Sequence, residues 1–291
     1  MFRKILLGLS LVLTPTLASA QVTGAGATFP YPIYSKWAEA YKKATGITVN
    51  YQSIGSGAGI KQITNKTVIF GATDMPLNQE ELDKLGLVQF PLVIGSVVVV
   101  HNMKQSDLTI TPQNLAEIYI GHVKKLNDQT VVPVRRSDGS GTTYLFTNWM
   151  SSVNDEFKKK IGTGASVDWP VGIGAKGNEG VASNVKLTKG AIGYVEYAYA
   201  KQNNMSMANL NIDGKTIKPN MDSFKNNLWP ITSPTYILMY KNSIKSDEAG
   251  KAIEYFIWVM QNGDKMAEEL DYIPISNDQK AANIKLLKSI K

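Results

Sequence analysis

Three glycine-rich turns, far apart in the chain, each lead into a run of residues at helical spacing. They lie at Ala27-Thr28-Phe29, at Ser56 and at Ser140-Gly141-Thr142. This repeated passage restricts the fold more than any other feature. Strand-like and helix-like runs alternate at the spacing of strand–helix–strand units, so an α/β fold is expected, with a mainly parallel sheet flanked by helices. In open sheets of this kind ligands bind beyond the carboxyl ends of the strands, where such turns converge. Turns from two halves of a chain, aimed at one point, describe a cleft between two lobes.

The third turn carries the densest chemistry. A β-type run, Val131-Val132-Pro133-Val134, leads in, and Leu145, Phe146, Trp149 and Met150 lead out at helical spacing. Between them stand Arg135, Arg136, Ser137, Asp138, Gly139, Ser140, Gly141, Thr142 and Thr143. A helix start exposes unpaired backbone N–H groups and the positive end of the helix dipole. Glycines allow a ligand close to that backbone, and the hydroxyls of Ser140 and Thr142 can donate as well. Arg136 offers a planar fork of donors, and Asp138, two residues on, is placed to hold the guanidinium still. The expected guest is a tetrahedral oxyanion.

Elsewhere the reading is coarser. Gly24 to Pro30 is a small-residue turn running into a helix through Ile33, Trp37 and Tyr41. Ile47–Gln52 and Thr67–Ala72 read as strands, the second ending at Thr73-Asp74. Gln89–His101 reads as one long strand, or as two interrupted at Gly95-Ser96. Val181–Leu187 is a short helix, and Ala191–Val195 and Ile231–Tyr240 are strands. Residues 203–226 are irregular, with a hairpin turn at Asp213-Gly214. Ser246 caps a long helix closed by Gly263.

The first 20 of the 291 residues combine a basic start (Arg3, Lys4), a short apolar run and an Ala18-Ser19-Ala20 cleavage signal. That run is too short to span a bilayer, so cleavage after Ala20 and a secreted chain starting at Gln21 are expected. The chain has no cysteine, which excludes a lipid anchor on cysteine, disulfides and thiolate metal sites. Such a chain depends on a large core, as suits a bacterial periplasmic protein. Its positive charge is dispersed: Lys158-Lys159-Lys160 is the longest basic run and reads as a solvated helix face rather than a nucleic-acid patch.

Enzymatic readings are weak. A serine hydrolase elbow needs glycine two residues before and after the serine, and around Ser140 those places hold Asp138 and Thr142. The two histidines, His101 and His122, read as packing or surface residues, and no carboxylate pair has metal spacing. Gly172 to Gly177 matches G-x-G-x-x-G but lacks a clear strand–helix–strand setting, so no dinucleotide is expected there. Neither cofactor, metal nor catalytic residue is assigned.

These residues closely resemble the family of periplasmic phosphate-binding proteins of bacterial phosphate ABC transporters. The resemblance rests on Thr23 to Pro30, Phe70 to Asp74, Val134 to Thr142 and Gly190 to Tyr197, and covers essentially the whole secreted chain. It implies a two-lobed, hinge-closing binding protein of type II, each lobe a mainly parallel sheet flanked by helices, with the ligand cleft between them. Lobe 1 would comprise 21–95 and 232–291, and lobe 2 would comprise 96–231. Carried over by motif, the phosphate contacts fall on Thr28, Phe29 (through its backbone), Ser56, Asp74, Arg136, Ser140, Gly141 and Thr142, with Asp138 supporting Arg136. The implied partners are inorganic phosphate and the inner-membrane permease subunits of an ABC importer, with the protein itself a monomer.

A carboxylate among anion donors has a physical rationale. Phosphate near neutral pH keeps at least one P–OH proton, which Asp74 can accept. Sulfate brings no proton and would face an unpaired carboxylate oxygen, a cost of about 1–3 kcal/mol or more. The alternatives are a binding protein for another tetrahedral oxyanion (sulfate, molybdate, arsenate) and, further off, a phosphoester hydrolase.

Overall fold

The computed structural model describes residues 21–242 and 246–290; the expected signal segment 1–20 lies outside them. Its first strand corrects the reading of the opening stretch. Gln21–Gly26 forms a strand, β1, and only Ala27 to Pro30 turns the chain into helix α1 (Tyr31–Thr45). Gly24-Ala25-Gly26 lacks strand propensity but is small for a packing reason. A Cβ at Gly24 would overlap the Phe70 ring, and one at Gly26 would strike the backbone of Ala72.

From there the elements alternate as expected. After α1 come β2 (Thr48–Ser53), α2 (Ser56–Thr64), β3 (Phe70–Thr73) and a long strand, β4 (Leu87–His101). The second half contributes β5 (Val132–Arg136), α3 (Gly141–Val153), β6 (Ile173–Ala175), α4 (Gly177–Leu187), β7 (Ala191–Glu196) and α5 (Tyr197–Gln202). The chain then returns through β8 (Thr232–Tyr240) to α6 (Asp247–Asn262) and α7 (Asn277–Ser289). Helix α4 begins four residues earlier than the apolar spacing from Val181 indicates. The stretch expected to be irregular contains the hairpin of Asn209–Ile212 with Lys215–Ile217. Asp213 (φ 51°) and Gly214 (φ 79°) make its turn, both in the left-handed region a tight hairpin favours.

The strands lie in the order β2-β1-β3-β8-β4-β7-β5-β6. At each end the ladders are parallel: β2, β1 and β3 on one side, and β7, β5 and β6 on the other. The two long strands between them, β8 and β4, pair antiparallel with their neighbours. Strand β4 serves both halves: Leu87 to Ser96 pairs with β8, and Val97 to His101 pairs with β7. The change of partner falls just after Gly95-Ser96, between Ser96 and Val97, where Ser96 Oγ also meets Thr232 Oγ1 at 2.8 Å.

Strands β3 and β7 and the second half of β4 are buried along their length, as sheets covered on both faces require. Trp37, Tyr41, Phe70, Phe90 and Phe256 fill the layer between the first sheet half and helices α1 and α6. Phe146 stacks on Tyr194 in the second half, with ring centroids 4.2 Å apart. Among the described residues no helix is long and apolar enough to cross a membrane.

Candidate functional site

The strand-to-helix turns of both halves meet at the junction of the two halves. Gly57 donates its N–H to Gly139 O at 2.9 Å, so the second and third turns touch backbone to backbone. Gly141 N–H donates to Ser56 Oγ (3.1 Å), as does Asp74 N–H (3.2 Å). A Cβ at Gly141 would stand 2.5 Å from Ser56 Oγ and 2.6 Å from Asp74 Oδ2, so this approach requires glycine. Ser140 caps α3 by accepting the Thr143 N–H on its hydroxyl oxygen (3.0 Å), which leaves its proton to donate.

Arg136 ends β5 and is 4% exposed. Asp138 grips it with both oxygens, Oδ1 to Nε at 2.7 Å and Oδ2 to Nη2 at 2.5 Å. Of the five guanidinium hydrogens this uses two, and Nη1 points to Thr142 Oγ1 (3.4 Å). Burial pushes the Asp138 carboxyl up, but the hydrogen bonds and charge of Arg136, with the Gly177 N–H, outweigh it and hold the group below the usual range.

A residue absent from the sequence-based set links the halves. Asn178, fully buried in the first turn of α4, donates its backbone N–H and its Nδ2 to Thr28 Oγ1 (3.0 and 2.7 Å) and Nδ2 also to Thr142 Oγ1 (3.1 Å). The Glu196 N–H donates to its Oδ1 (2.8 Å), which fixes the orientation of the amide. A hydroxyl has one proton and two lone pairs. Thr28 accepts twice from Asn178, and Thr142 accepts from Asn178 and Arg136. Each therefore keeps its O–H for a further acceptor. The signal for Asn178 lay in the G-x-G-x-x-G run. Strand β6 and helix α4 flank it, and Gly177 (φ 71°) makes it a fourth strand-to-helix turn.

Two tyrosines hold the first turn from behind. Tyr199 Oη donates to Thr28 O (2.6 Å), and Tyr272 Oη lies 2.7 Å from Phe29 O and 2.9 Å from Glu196 Oε2. Thr28 C=O and Phe29 N–H belong to one planar trans peptide and point in opposite directions. Tyr199 on the carbonyl thus turns the Phe29 N–H the other way.

Asp74 follows β3 and is 1% exposed. Its Oδ1 accepts from Thr235 Oγ1 at 2.8 Å, and its Oδ2 lies 3.5 Å from Ser56 Oγ. Burial raises its pKa to about 7, against the lowering influence of Thr235, Arg136 and Ser56. Thr28, Phe29, Ser56, Asp74, Arg136, Asp138, Ser140, Gly141 and Thr142 thus form one connected cluster, almost wholly buried. Around it the chemistry is that of an anion site: one guanidinium, several hydroxyl donors, and a single carboxylate able to accept a proton. A groove of about 670 Å³, lined by Tyr31, Pro32, Glu179 and Tyr199 among others, includes none of the cluster residues in its lining.

The chain is similar to known proteins over most of its length. The model of the PBP superfamily domain matches residues 14–262. The phosphate-binding protein PstS of Haemophilus influenzae is 42% identical over 311 aligned positions, spanning 93% of this chain and 93% of that protein. PstS of Xylella fastidiosa is 43% identical, over 88% of this chain and 82% of its own. Among solved structures, the phosphate binding protein from Stenotrophomonas maltophilia aligns with a TM-score of 0.72 at 19% identity, over 91% of this chain and 93% of that one. That likeness concerns the fold.

Proposed function

The chain belongs to the PstS family of phosphate-binding proteins, and from that premise we propose that it binds inorganic phosphate in the periplasm and delivers it to an ABC-type importer. The observation that carries this reading is the buried cluster itself, in which donors from both halves surround one carboxylate. Arg136, Thr28, Ser140 and Thr142 donate to the phosphate oxygens together with the N–H groups of Phe29 and the α3 start. Ser56 bridges the turn of Gly141 and Asp74, and Asp74 accepts the P–OH proton. Asp138 neutralises and orients Arg136 without touching the anion.

The lobes of this reading are 21–95 with 232–291, and 96–231. The partner exchange of β4 between Ser96 and Val97, one residue from the boundary at 95/96, supports that division. Closure is then driven by the anion, because only the closed arrangement assembles donors from both lobes. The closed surface is what the inner-membrane permease subunits recognise, and the protein shuttles as a monomer released after Ala20.

Binding without turnover is favoured over hydrolysis by the placement of the histidines. Ser140 Oγ serves as a helix cap. His101 lies in β4 with Nδ1 accepting from the Met103 N–H, and His122 stands at the surface beside Glu156 and Lys160. Calorimetric titration of phosphate-free protein tests the proposal. The expected result is about one phosphate per chain at micromolar affinity or tighter, with no heat from sulfate. Absence of phosphate binding would refute it.

A further inference from the structure

Thr235 lies 161 residues from Asp74 in sequence and yet shares a 2.8 Å hydrogen bond with it. It is fully buried in β8, a strand whose neighbouring inward residues, Ile237 and Met239, are apolar core. The ladder between β8 and β4 is irregular at this point. Thr235 pairs with Val93 and Tyr236 with Pro91, leaving Leu92 unmatched. Pro91 has no N–H to give the ladder. The extra residue is on β4, so β8 keeps its alternation and holds the Thr235 hydroxyl on the inward face, against Asp74.

The Thr235 hydroxyl has one proton and two acceptors within reach, Asp74 Oδ1 at 2.8 Å and Thr73 O at 3.4 Å. While Asp74 is ionised the proton belongs to the nearer, charged acceptor. If Oδ1 carried a proton, Thr235 would have to turn its own towards Thr73 O, the longer and weaker bond. The residue therefore favours the ionised carboxylate and occupies one of its two oxygens. The other oxygen, Oδ2, faces Ser56 and the glycine turn at Gly141.

From this geometry we propose that Thr235 is a positioning residue for specificity, which reserves Oδ2 of Asp74 as the sole acceptor offered to a protonated oxyanion. The inference rests on the role given to Asp74 above and deepens it. Other titratable groups also face Asp74: Arg136 favours its ionised form, while Glu196 from β7, Tyr34 from α1, Tyr51 from β2 and Tyr272 couple to it. Thr235 contributes a direct hydrogen bond that removal of one hydroxyl abolishes without altering any charge.

The test measures phosphate and sulfate affinity from pH 5.5 to pH 8.5 for the parent, Thr235→Val, Thr235→Ser and Asp74→Asn, with melting curves to establish folding. Thr235→Ala replaces the valine variant if the latter does not fold. In Thr235→Val, Asp74 gives up its proton only at higher pH. Phosphate affinity near pH 7 is then expected to fall about tenfold, with its pH profile displaced upward, and sulfate binding becomes measurable on the acid side. Thr235→Ser, which keeps the hydroxyl, should track the parent. A folded Thr235→Val or Thr235→Ala with the parent's pH profile and sulfate rejection would overturn the inference. If Asp74→Asn admits sulfate and the Thr235 variants do not, only the role of Thr235 fails; if Asp74→Asn still rejects sulfate, the acceptor role of Asp74 fails with it.

Discussion

Asp74 and Glu196 are both fully buried carboxyl groups, and their surroundings oppose the effect of burial to different extents. Asp74 has a hydroxyl on each oxygen, from Thr235 and Ser56, and feels the charge of Arg136. These hold its pKa near 7 against burial. Glu196 has the Ala198 N–H (2.8 Å) and the Tyr272 hydroxyl on Oε2, and no partner on Oε1. The Tyr272 proton is also claimed by Phe29 O at 2.7 Å, which can only accept. The single Tyr272 proton is therefore shared between Phe29 O and Glu196 Oε2, which weakens the support Oε2 receives as an acceptor. Burial accordingly pushes Glu196 well above the usual carboxyl range, and the hydrogen bonds from Tyr272 and Ala198 do not reverse it. Burial alone does not set the state of a carboxyl here; the supply of donors does. Asp74 has a donor on each oxygen to favour its ionised form, whereas Glu196 has one oxygen without a hydrogen bond.

Removing the cation breaks that contrast most severely. Arg136→Ala is expected to weaken phosphate binding by more than tenfold, at least about 1.4 kcal/mol, since a charge-assisted contact in a desolvated cleft is lost. Asp74 then resembles Glu196, with burial less opposed. An unchanged dissociation constant in calorimetry would exclude Arg136 from the site.

A smaller effect sharpens the other side. A carboxyl whose folded pKa is raised contributes stability that is fully present below its unfolded value, about 4.3 for Glu, and is lost as pH rises through the folded value. Glu196 and Asp74 both act in this direction, so melting temperature should decline from pH 5 towards pH 8. Glu196→Gln, whatever it costs at acid pH, is expected to flatten that decline. Equal slopes in parent and variant would mean that Glu196 is ionised in the folded protein.

Much of this arrangement could be read from local sequence, for local reasons. The Ser140 cap, the Arg136–Asp138 grip two residues apart and the β5-to-α3 passage need only neighbours in the chain. So do the long strand, which runs unbroken through Gly95-Ser96, and the hairpin at Asp213-Gly214. Strand β1 was hidden because Gly24 and Gly26 are chosen for space beneath Phe70 and Ala72 rather than for strand propensity. Asn178 does have a local signal, because Gly177 marks a turn, although the G-x-G-x-x-G pattern before it resembles a nucleotide motif. Thr235, Tyr272 and Glu196 could not be found this way. Thr235 looks like any β-branched strand residue, and its partner lies 161 positions away; Tyr272 meets Phe29 across 243. Their roles exist only once the return strand β8 and the segment after α6 are folded against the first half.

The central claim is that Asp74 selects a protonated oxyanion by accepting its proton. Sulfate titration of Asp74→Asn beside the parent tests it most directly. Sulfate binding is expected in the variant and none in the parent, with phosphate affinity reduced by a smaller factor than the gain for sulfate. Sulfate rejection that survives in a folded, phosphate-binding Asp74→Asn would contradict it.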